Sequence, residues 1–302
     1  MRRPDFFIVG AIKSGTTAMY EYLRAHPQVF MCVPKEPLFF GRDLSPRYRR
    51  MSEAEYLALF SAARPDQRAG EATPLYLGSA TAAQEIDAFS PGAQAIIMLR
   101  NPVDVMHAQH GQLVATERED ITDFERALAA EPDRRAGRRI PAGAIRPAAL
   151  LYREMVRFPE QVRRFLNVFG RERVHFIVFD DLVADPGAAY ADVLRFLRVD
   201  ADVQVELAVH NPSQAARSRA LQRLIHAPPP VLRSLYGRLR GVPLAHRLRD
   251  ALAAHNARPA ARSPMDPRLR RQLSEELAGQ VAELGTLIGR DLSEWSRPEI
   301  ER

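Results

Sequence analysis

The sequence predicts an α/β fold: a three-layer sandwich in which helices cover both faces of a central, mainly parallel β-sheet. Several short apolar runs are continuous rather than alternating, which is typical of strands that are buried on both faces. Segments with helical periodicity, such as 152–169, separate these runs, and that alternation favours parallel pairing. The predicted strands are residues 6–9, 29–32, 69–72, 95–99 and 174–179.

Length and composition are those of an ordinary globular protein. The chain has 302 residues, of which 46% are hydrophobic and 26% charged. No long segment is polar enough to require disorder, and no internal repeat is visible. We therefore expect a single domain over residues 1–302.

The charge and the cysteine content narrow the class of protein. A formal charge of +6 suits an anionic ligand, nucleic acid or an acidic membrane surface, and net charge alone does not choose among them. The single cysteine, Cys32, excludes an internal disulfide and fits a reducing compartment. The chain enters its first strand without the apolar region of a signal peptide, and no stretch is long enough to span a bilayer. These features predict a cytoplasmic protein.

Lysine is rare in this chain. Of 43 Lys and Arg residues only Lys13 and Lys35 are lysines. An ammonium group is compact and flexible, whereas guanidinium is a planar fork, so the two are not interchangeable. The segments around both lysines are therefore the first candidates for chemistry.

The first of these segments, Gly-Ala-Ile-Lys-Ser-Gly-Thr-Thr, spans residues 10–17 between a predicted strand and a predicted helix. Glycines bound a tight turn, and backbone amides at the start of the helix favour a phosphate. The nucleotide-triphosphate version of this P-loop has lysine where this chain has Thr16. The segment predicts a phosphate-ester site of altered specificity, the alternative being an ordinary Gly/Ser turn.

The second segment, Pro-Lys-Glu-Pro-Leu-Phe-Phe at 34–40, places Lys35 and Glu36 beside aromatic residues. A carboxylate there could act as a general base toward an alcohol. The alternative is a surface Lys-Glu turn that two buried phenylalanines anchor.

A third segment follows the strand 95–99 and reads Arg-Asn-Pro-Val-Asp. Arg100 then faces the crevice in which open α/β sheets bind ligands, and a guanidinium can donate two parallel hydrogen bonds to a phosphate. A helix is expected to begin near Pro102. The alternative is that Arg100 caps a loop or pairs with Asp104.

These three segments, in this order, resemble the sulfotransferases that use 3′-phosphoadenosine 5′-phosphosulfate (PAPS), in particular the heparan sulfotransferase type. The resemblance runs from about residue 6 to residue 295 and implies a P-loop-like fold. It implies that Lys13 contacts the bridging oxygen and the sulfuryl group, that Glu36 deprotonates the acceptor with help from Lys35, and that Arg100 binds the 3′-phosphate. The implied 5′-phosphate ligands are Lys13, Ser14, Gly15, Thr16 and Thr17.

Further roles follow from the same resemblance. Glu71 and Tyr76, in the segment Gly-Glu-Ala-Thr-Pro-Leu-Tyr, are expected acceptor contacts, with local hydrogen bonding as the alternative. Arg262, and more loosely Arg217, are expected near the 3′-phosphate. Ala108 stands where relatives usually have a serine that binds this phosphate, so a hydroxyl ligand is absent.

The function that the resemblance implies is sulfuryl transfer from PAPS to a hydroxyl, with 3′,5′-ADP as the other product and no metal. The acceptor stays open among sugar, lipid, polyketide, peptide and small phenol, with a lean toward an aliphatic alcohol. No nucleic-acid partner is expected, and the oligomeric state is not predicted. The alternatives are a P-loop nucleotide kinase and a nonenzymatic nucleotide- or polyanion-binding protein.

Four other features carry expectations. The helical segment 221–262 is expected to be mobile or to cover the acceptor, and its basic part, 221–252, either packs on the main body or touches a membrane surface. His107 and His110 are expected to pack rather than bind metal. The arginine-rich stretch 134–139 is expected to be a solvated face, and the acids of 180–185 to cap a helix and hold loops.

Overall fold

The sheet of the computed structural model has five strands, all parallel, in the order β2-β3-β1-β4-β5. The structure describes residues 2–44, 51–207, 214–216, 257–259 and 264–297. The five strands are β1 (Phe6–Gly10), β2 (Val29–Met31), β3 (Arg68–Ala72), β4 (Gln94–Leu99) and β5 (Val174–Val178). Each apolar run in the sequence is one of these strands, so the predicted α/β fold is confirmed.

Helices separate the strands and follow them. Short 3-10 turns occur at residues 76–78, 147–150, 171–173 and 293–296. The α-helices are α1 (Thr16–Ala25), α2 (Glu53–Ala58), α3 (Ala82–Phe89), α4 (Pro102–Ala115), α5 (Phe124–Ala129), α6 (Glu131–Arg135), α7 (Tyr152–Met155), α8 (Phe158–Phe169), α9 (Phe179–Ala184), α10 (Pro186–Leu197) and α11 (Pro267–Ile288).

The central strand β1 is buried along its whole length because helices and loops cover both faces of the sheet. On one face Ile8 belongs to an apolar cluster with Met19 of α1 and Val193 of α10. On the other, Phe7 contacts the ring of Phe40 edge to face, with 5.8 Å between ring centroids. Burial of each such side chain contributes about 1.5–3 kcal/mol. This packing fixes the strand from which the phosphate loop begins.

The stretch 152–169, which has helical periodicity in the sequence, forms two helices, α7 and α8. Pro159 has no amide hydrogen and could not donate to the carbonyl of Met155 in a continuous helix. The chain breaks, Pro159 occupies the first turn of α8, and the side-chain amide of Gln161 donates to the Met155 carbonyl at 3.2 Å.

Two compact units divide the chain. The first comprises residues 1–105, 155–210 and 267–302 and contains the five-stranded sheet; the second comprises residues 106–154 and 211–266. The single domain stays a prediction. Within the second unit, β6 (Gln214–Ala216) pairs antiparallel with β7 (Ala257–Pro259). Because of that pairing, 257–259 are extended rather than helical as expected for 221–262; the rest of that segment lies outside the described residues.

The arginine-rich stretch 134–139 is solvated only in part. Arg135, Arg138 and Arg139 are exposed. Arg134 is buried, against expectation, because its guanidinium pairs with the buried carboxylate of Glu119 at 2.6 Å. Across the described residues, no helix is both long and apolar enough for a membrane span.

Candidate active site

The phosphate loop begins at the carboxyl end of β1. The amide of Ala11 donates to the carbonyl of Met98 at 2.6 Å, so the loop starts in contact with β4. A Cβ at Gly10 would lie 2.4 Å from Cβ of Leu77, which explains why the first position of the loop is glycine.

The loop closes at the N-terminus of α1. Gly15 is the N-cap residue and has a φ of 86°, in the left-handed region that favours glycine. No side chain caps this helix end. A Cβ on Gly15 would come within 2.9 Å of Leu182 and 3.2 Å of Phe179. Backbone amides at such an uncapped helix start are suited to a phosphate.

The hydroxyl-bearing residues of the loop differ in burial. Ser14 is fully buried, and its hydroxyl donates to the carbonyl of Ile12 at 3.3 Å. Thr16 is buried, whereas Thr17 is partly exposed. Their contacts with a phosphate stay predictions.

Arg100 follows β4 and joins the phosphate loop directly. Its guanidinium donates to the backbone carbonyl of Lys13 at 3.3 Å and stacks over the ring of Phe179, 4.5 Å from the ring centroid. The expected pairing with Asp104 is loose, at 3.8 Å, because Asp104 accepts a closer hydrogen bond of 2.7 Å from Arg270. The Lys13 carbonyl and the Phe179 ring therefore hold Arg100 beside the loop, and its ion pair with Asp104 is long.

The Lys35–Glu36 turn follows β2 at the same edge of the sheet. Nζ of Lys35 lies 2.9 Å from Oε1 of Glu36, whose side chain is 43% exposed. The backbone amide of Glu36 donates to the carbonyl of Ala72 at 3.1 Å. The hydroxyl of Tyr20, on α1, donates to the carbonyl of Cys32 at 2.9 Å. An accessible carboxylate beside a cation, on a backbone tied to β3 and α1, is an arrangement suited to a general base.

A buried cluster of four polar side chains lies next to this turn; we call it the Glu71 cluster. Its members are Tyr56, Glu71, Thr73 and Tyr76, each with no exposed surface. Tyr56 donates its hydroxyl to Oε2 of Glu71, and Thr73 donates to Oε1 at 2.8 Å. The phenol of Tyr76 is near enough to this carboxyl group for each to shift the pKa of the other. Burial outweighs these hydrogen bonds and raises the pKa of Glu71 to about 7.

Glu71 and Tyr76 thus have the local hydrogen bonding that the sequence left as one alternative. Their expected contact with an acceptor stays a prediction. Tyr56 and Thr73 are not among the site residues that the sequence predicts. Tyr56 comes from α2, and nothing in its local sequence indicates that the helix approaches β3.

The C-terminal segment supports the strand ends. Nε1 of Trp295 donates to Asp180 at 2.6 Å, and the side chain of Asn101 donates to the carbonyl of Trp295 at 3.2 Å. Asp185 caps α10 by accepting from the amide of Ala188 at 2.9 Å. The acids of 180–185 therefore hold a loop and cap a helix, as expected.

The remaining candidates lie elsewhere or outside the description. Ala108 is buried in α4. His107 and His110 both pack against Phe124, with ring centroids 5.3 and 5.2 Å away. Among the described residues, no group of three or more potential ligands could hold a metal. Arg217 and Arg262 lie outside the described residues.

Known proteins resemble parts of this chain. Human heparan sulfate glucosamine 3-O-sulfotransferase 6 is 36% identical over 114 residues, which are 38% of this chain and 32% of that protein. A membrane-associated sulfotransferase of Dictyostelium discoideum is 30% identical over 107 residues, 35% of this chain and 22% of that protein. The chain thus matches a third or less of the length of these curated relatives.

Similarity to a solved structure extends over nearly the whole chain. The crystal structure of a sulfotransferase from Alicyclobacillus acidocaldarius superposes with a TM-score of 0.73 and 30% sequence identity, covering 98% of this chain and 100% of that one. The family model of the sulfotransferase domain matches residues 3–224. The resemblance inferred from the three segments is confirmed, and the chain belongs to the sulfotransferase domain family.

Proposed function

We propose that this protein is a PAPS-dependent O-sulfotransferase. The observation that carries the proposal is the hydrogen bond from Arg100 to the carbonyl of Lys13, which joins the phosphate loop to the arginine predicted to bind the 3′-phosphate. The family match supports the class of reaction. A P-loop kinase is not favoured, because Thr16 stands where a kinase of that type needs lysine.

The residues around the phosphate loop fit an adenosine nucleotide with phosphates on both the 3′ and the 5′ position of its ribose. Gly15 lets Leu182 and Phe179 pack closely against the loop, and the start of helix α1 that follows it has no side-chain cap. We assign the 5′-phosphate to the amides and hydroxyls of residues 13–17 and the 3′-phosphate to Arg100. When bound, PAPS supplies the sulfuryl group that passes to the acceptor oxygen, and 3′,5′-ADP is released.

Lys13 and Glu36 have separate roles in this proposal. The ammonium of Lys13 offsets the negative charge that develops on the departing phosphate oxygen, which is the kind of stabilisation that dominates such transfers. Glu36 accepts the proton of the acceptor hydroxyl. Lys35, 2.9 Å from Oε1 of Glu36, fixes that oxygen, and we assign the proton to Oε2.

The acceptor that we propose is an aliphatic hydroxyl. Two observations support it: the sequence similarity to a human glucosamine 3-O-sulfotransferase and the exposed carboxylate of Glu36. An alcohol loses its proton far less readily than a phenol, so an alcohol has more need of a base. Cytoplasmic location, peripheral membrane contact and the absence of a nucleic-acid partner stay predictions.

Calorimetry with 3′,5′-ADP, ADP and ATP is the first test, and we expect 3′,5′-ADP to bind most tightly. Mass spectrometry of an acceptor panel incubated with PAPS should then find a product heavier by one sulfate; the panel comprises N-sulfated heparosan oligosaccharides, a long-chain alcohol and p-nitrophenol. Salt-sensitive binding of nucleic acid without affinity for 3′,5′-ADP would favour the nonenzymatic alternative.

Two substitutions test the assigned roles. Lys13→Ala should keep the circular dichroism spectrum and lower turnover about 100-fold or more. Glu36→Gln keeps the shape and removes the base, and it should lower turnover by about 100-fold or more. Arg24→Ala, on the exposed side of α1, is the control and should turn over normally. Near-normal turnover in the Lys13 or Glu36 variant would refute the role of that residue.

A further inference from the structure

The phenolic oxygen of Tyr76 accepts hydrogen bonds from two consecutive backbone amides, those of Phe39 at 3.0 Å and Phe40 at 3.3 Å. A phenol has two lone pairs and one hydrogen. With both lone pairs used, its hydrogen can point toward the nearby carboxyl group of Glu71; burial and then the charge of Glu71 raise the pKa of this phenol. One buried carboxyl group therefore orients the phenol that holds the chain three and four residues after Glu36.

The same region of backbone needs such support. Glu36 and Leu38 have φ values of 60° and 56°, in the left-handed region that residues other than glycine rarely adopt. Conformations of this kind persist where the surrounding structure holds them. The amide of Glu36 is held by the carbonyl of Ala72, next to Glu71 in β3, and the amide of Gly41 by Glu85 at 2.9 Å.

Aromatic packing holds the side chains of the segment but not its backbone amides. Phe39 stacks on Tyr56 with 4.2 Å between ring centroids, and Phe40 contacts Tyr76 at 5.8 Å. Rings can slide or rotate within such contacts, whereas two amides directed at one oxygen fix the peptide planes. Removal of the Tyr76 hydroxyl would therefore release the peptides while leaving the rings in place.

We propose that Glu71 and Tyr76 are positioning residues that hold the backbone of the Phe39–Phe40 segment and thereby aim the carboxylate of Glu36 at the acceptor hydroxyl. This inference rests on the proposed role of Glu36 as the base. Full burial of both side chains favours this role over direct contact with an acceptor. Tyr56 and Thr73 support this arrangement, because each donates a hydrogen bond to one oxygen of the Glu71 carboxyl group.

Tyr76→Phe is the main test variant and Glu71→Gln the second. Tyr190→Phe is the matched control: Tyr190 is also a buried tyrosine, and its hydroxyl has no hydrogen-bond partner in the described part of the chain. Hydrogen exchange should show about tenfold or greater loss of protection at the Phe39 and Phe40 amides in Tyr76→Phe, and a smaller loss in Glu71→Gln. Tyr190→Phe should leave both amides protected.

Kinetics separate positioning from simple destabilisation. With N-sulfated heparosan oligosaccharide and PAPS, Tyr76→Phe should lower kcat about tenfold or more, while the Kd of 3′,5′-ADP stays within twofold. In a Glu36→Gln background the same substitution should cause no further loss, because Tyr76 then has no base to position. A residue with a merely structural role would lower activity equally in both backgrounds.

The outcomes distinguish this inference from the proposed function. Normal kcat in folded Tyr76→Phe, unchanged exchange at the two amides, or an equal further loss in the Glu36→Gln background would each overturn the positioning role in an active enzyme. If the wild-type protein binds no 3′,5′-ADP and transfers no sulfate to the oligosaccharide or to any other acceptor of the panel, the proposed function fails instead.

Discussion

The guanidinium of Arg100 donates a hydrogen bond to the backbone carbonyl of Lys13 over 3.3 Å, although 87 positions separate the two residues in the chain. β1 and β4 are neighbours in the sheet, and the loops that follow their carboxyl ends meet at one edge. The arginine predicted to bind the 3′-phosphate is thus part of the support of the phosphate loop. A change at Arg100 is expected to affect both the binding of the 3′-phosphate and the position of the phosphate loop.

Arg100→Ala should weaken binding of 3′,5′-ADP by about 10- to 100-fold, because a charge-assisted hydrogen bond contributes about 1.5–3 kcal/mol. Binding of 5′-AMP, which lacks the 3′-phosphate, should weaken much less. Calorimetry with both nucleotides measures the difference, and Arg195→Ala on the exposed face of α10 is the control. Equal losses for the two nucleotides would mean that Arg100 acts only through the loop.

Gly15→Ala should destabilise the protein by about 1–3 kcal/mol, because alanine is strained at a φ of 86° and its Cβ would lie 2.9 Å from Leu182. Gly111→Ala is the matched control: nothing lies within 4 Å of its Cβ, and alanine should stabilise helix α4 by about 0.5–1 kcal/mol. Urea unfolding followed by circular dichroism checks both. A neutral Gly15→Ala would show that the loop tolerates a side chain.

The strands and the phosphate loop could be predicted because their signals are local. Each strand is a short apolar run, and the loop has its glycines within eight consecutive residues. The break before Pro159 was predictable in principle, since proline lacks the amide that a continuous helix needs. Helical periodicity continues across this proline, so periodicity alone does not show the break between α7 and α8.

Contacts between distant segments could not be predicted from sequence. The hydrogen bond from Tyr56 to Glu71 depends on how the chain between β2 and β3 packs, which no periodicity encodes. Burial of Arg134 depends in the same way on Glu119, fifteen residues earlier. From sequence alone, the charged side chains of Glu71 and Arg134 would be expected on the surface. Each is buried because it pairs with a partner, Tyr56 or Glu119, that lies fifteen residues away in the chain.

Arg134→Met should cost about 3–5 kcal/mol, because it leaves the buried carboxylate of Glu119 without its cation. A double substitution, Arg134→Met with Glu119→Leu, should cost less, since no buried charge is then left unpaired. Arg135→Ala is the control: its pair with Glu154 is exposed and should be worth less than about 1 kcal/mol. Equal free energies of unfolding for Arg134→Met and Arg135→Ala would contradict the argument.

Glu71→Gln should remove a pH dependence of stability. Burial raises the pKa of Glu71 from its ordinary value of 4.5 to about 7, so the folded protein holds this proton more tightly than the unfolded chain does. Protonated Glu71 therefore contributes its full share to the free energy of unfolding below about pH 4.5, and this contribution is lost as the pH rises to about 7. At 1.36 kcal/mol per pKa unit, the free energy of unfolding falls by about 3 kcal/mol over this range.

The groups that face Glu71 do not titrate in this window. Burial raises the pKa of Tyr56, of Tyr76 and of the Cys32 thiol above their ordinary values, and Thr73 does not ionise. Free energies of unfolding in urea, measured from pH 4.5 to 8, should therefore fall more steeply in the wild type and in Tyr190→Phe than in Glu71→Gln. Parallel curves for all three proteins would mean that Glu71 is ionised throughout, with the hydroxyl donors Tyr56 and Thr73 offsetting the cost of burial.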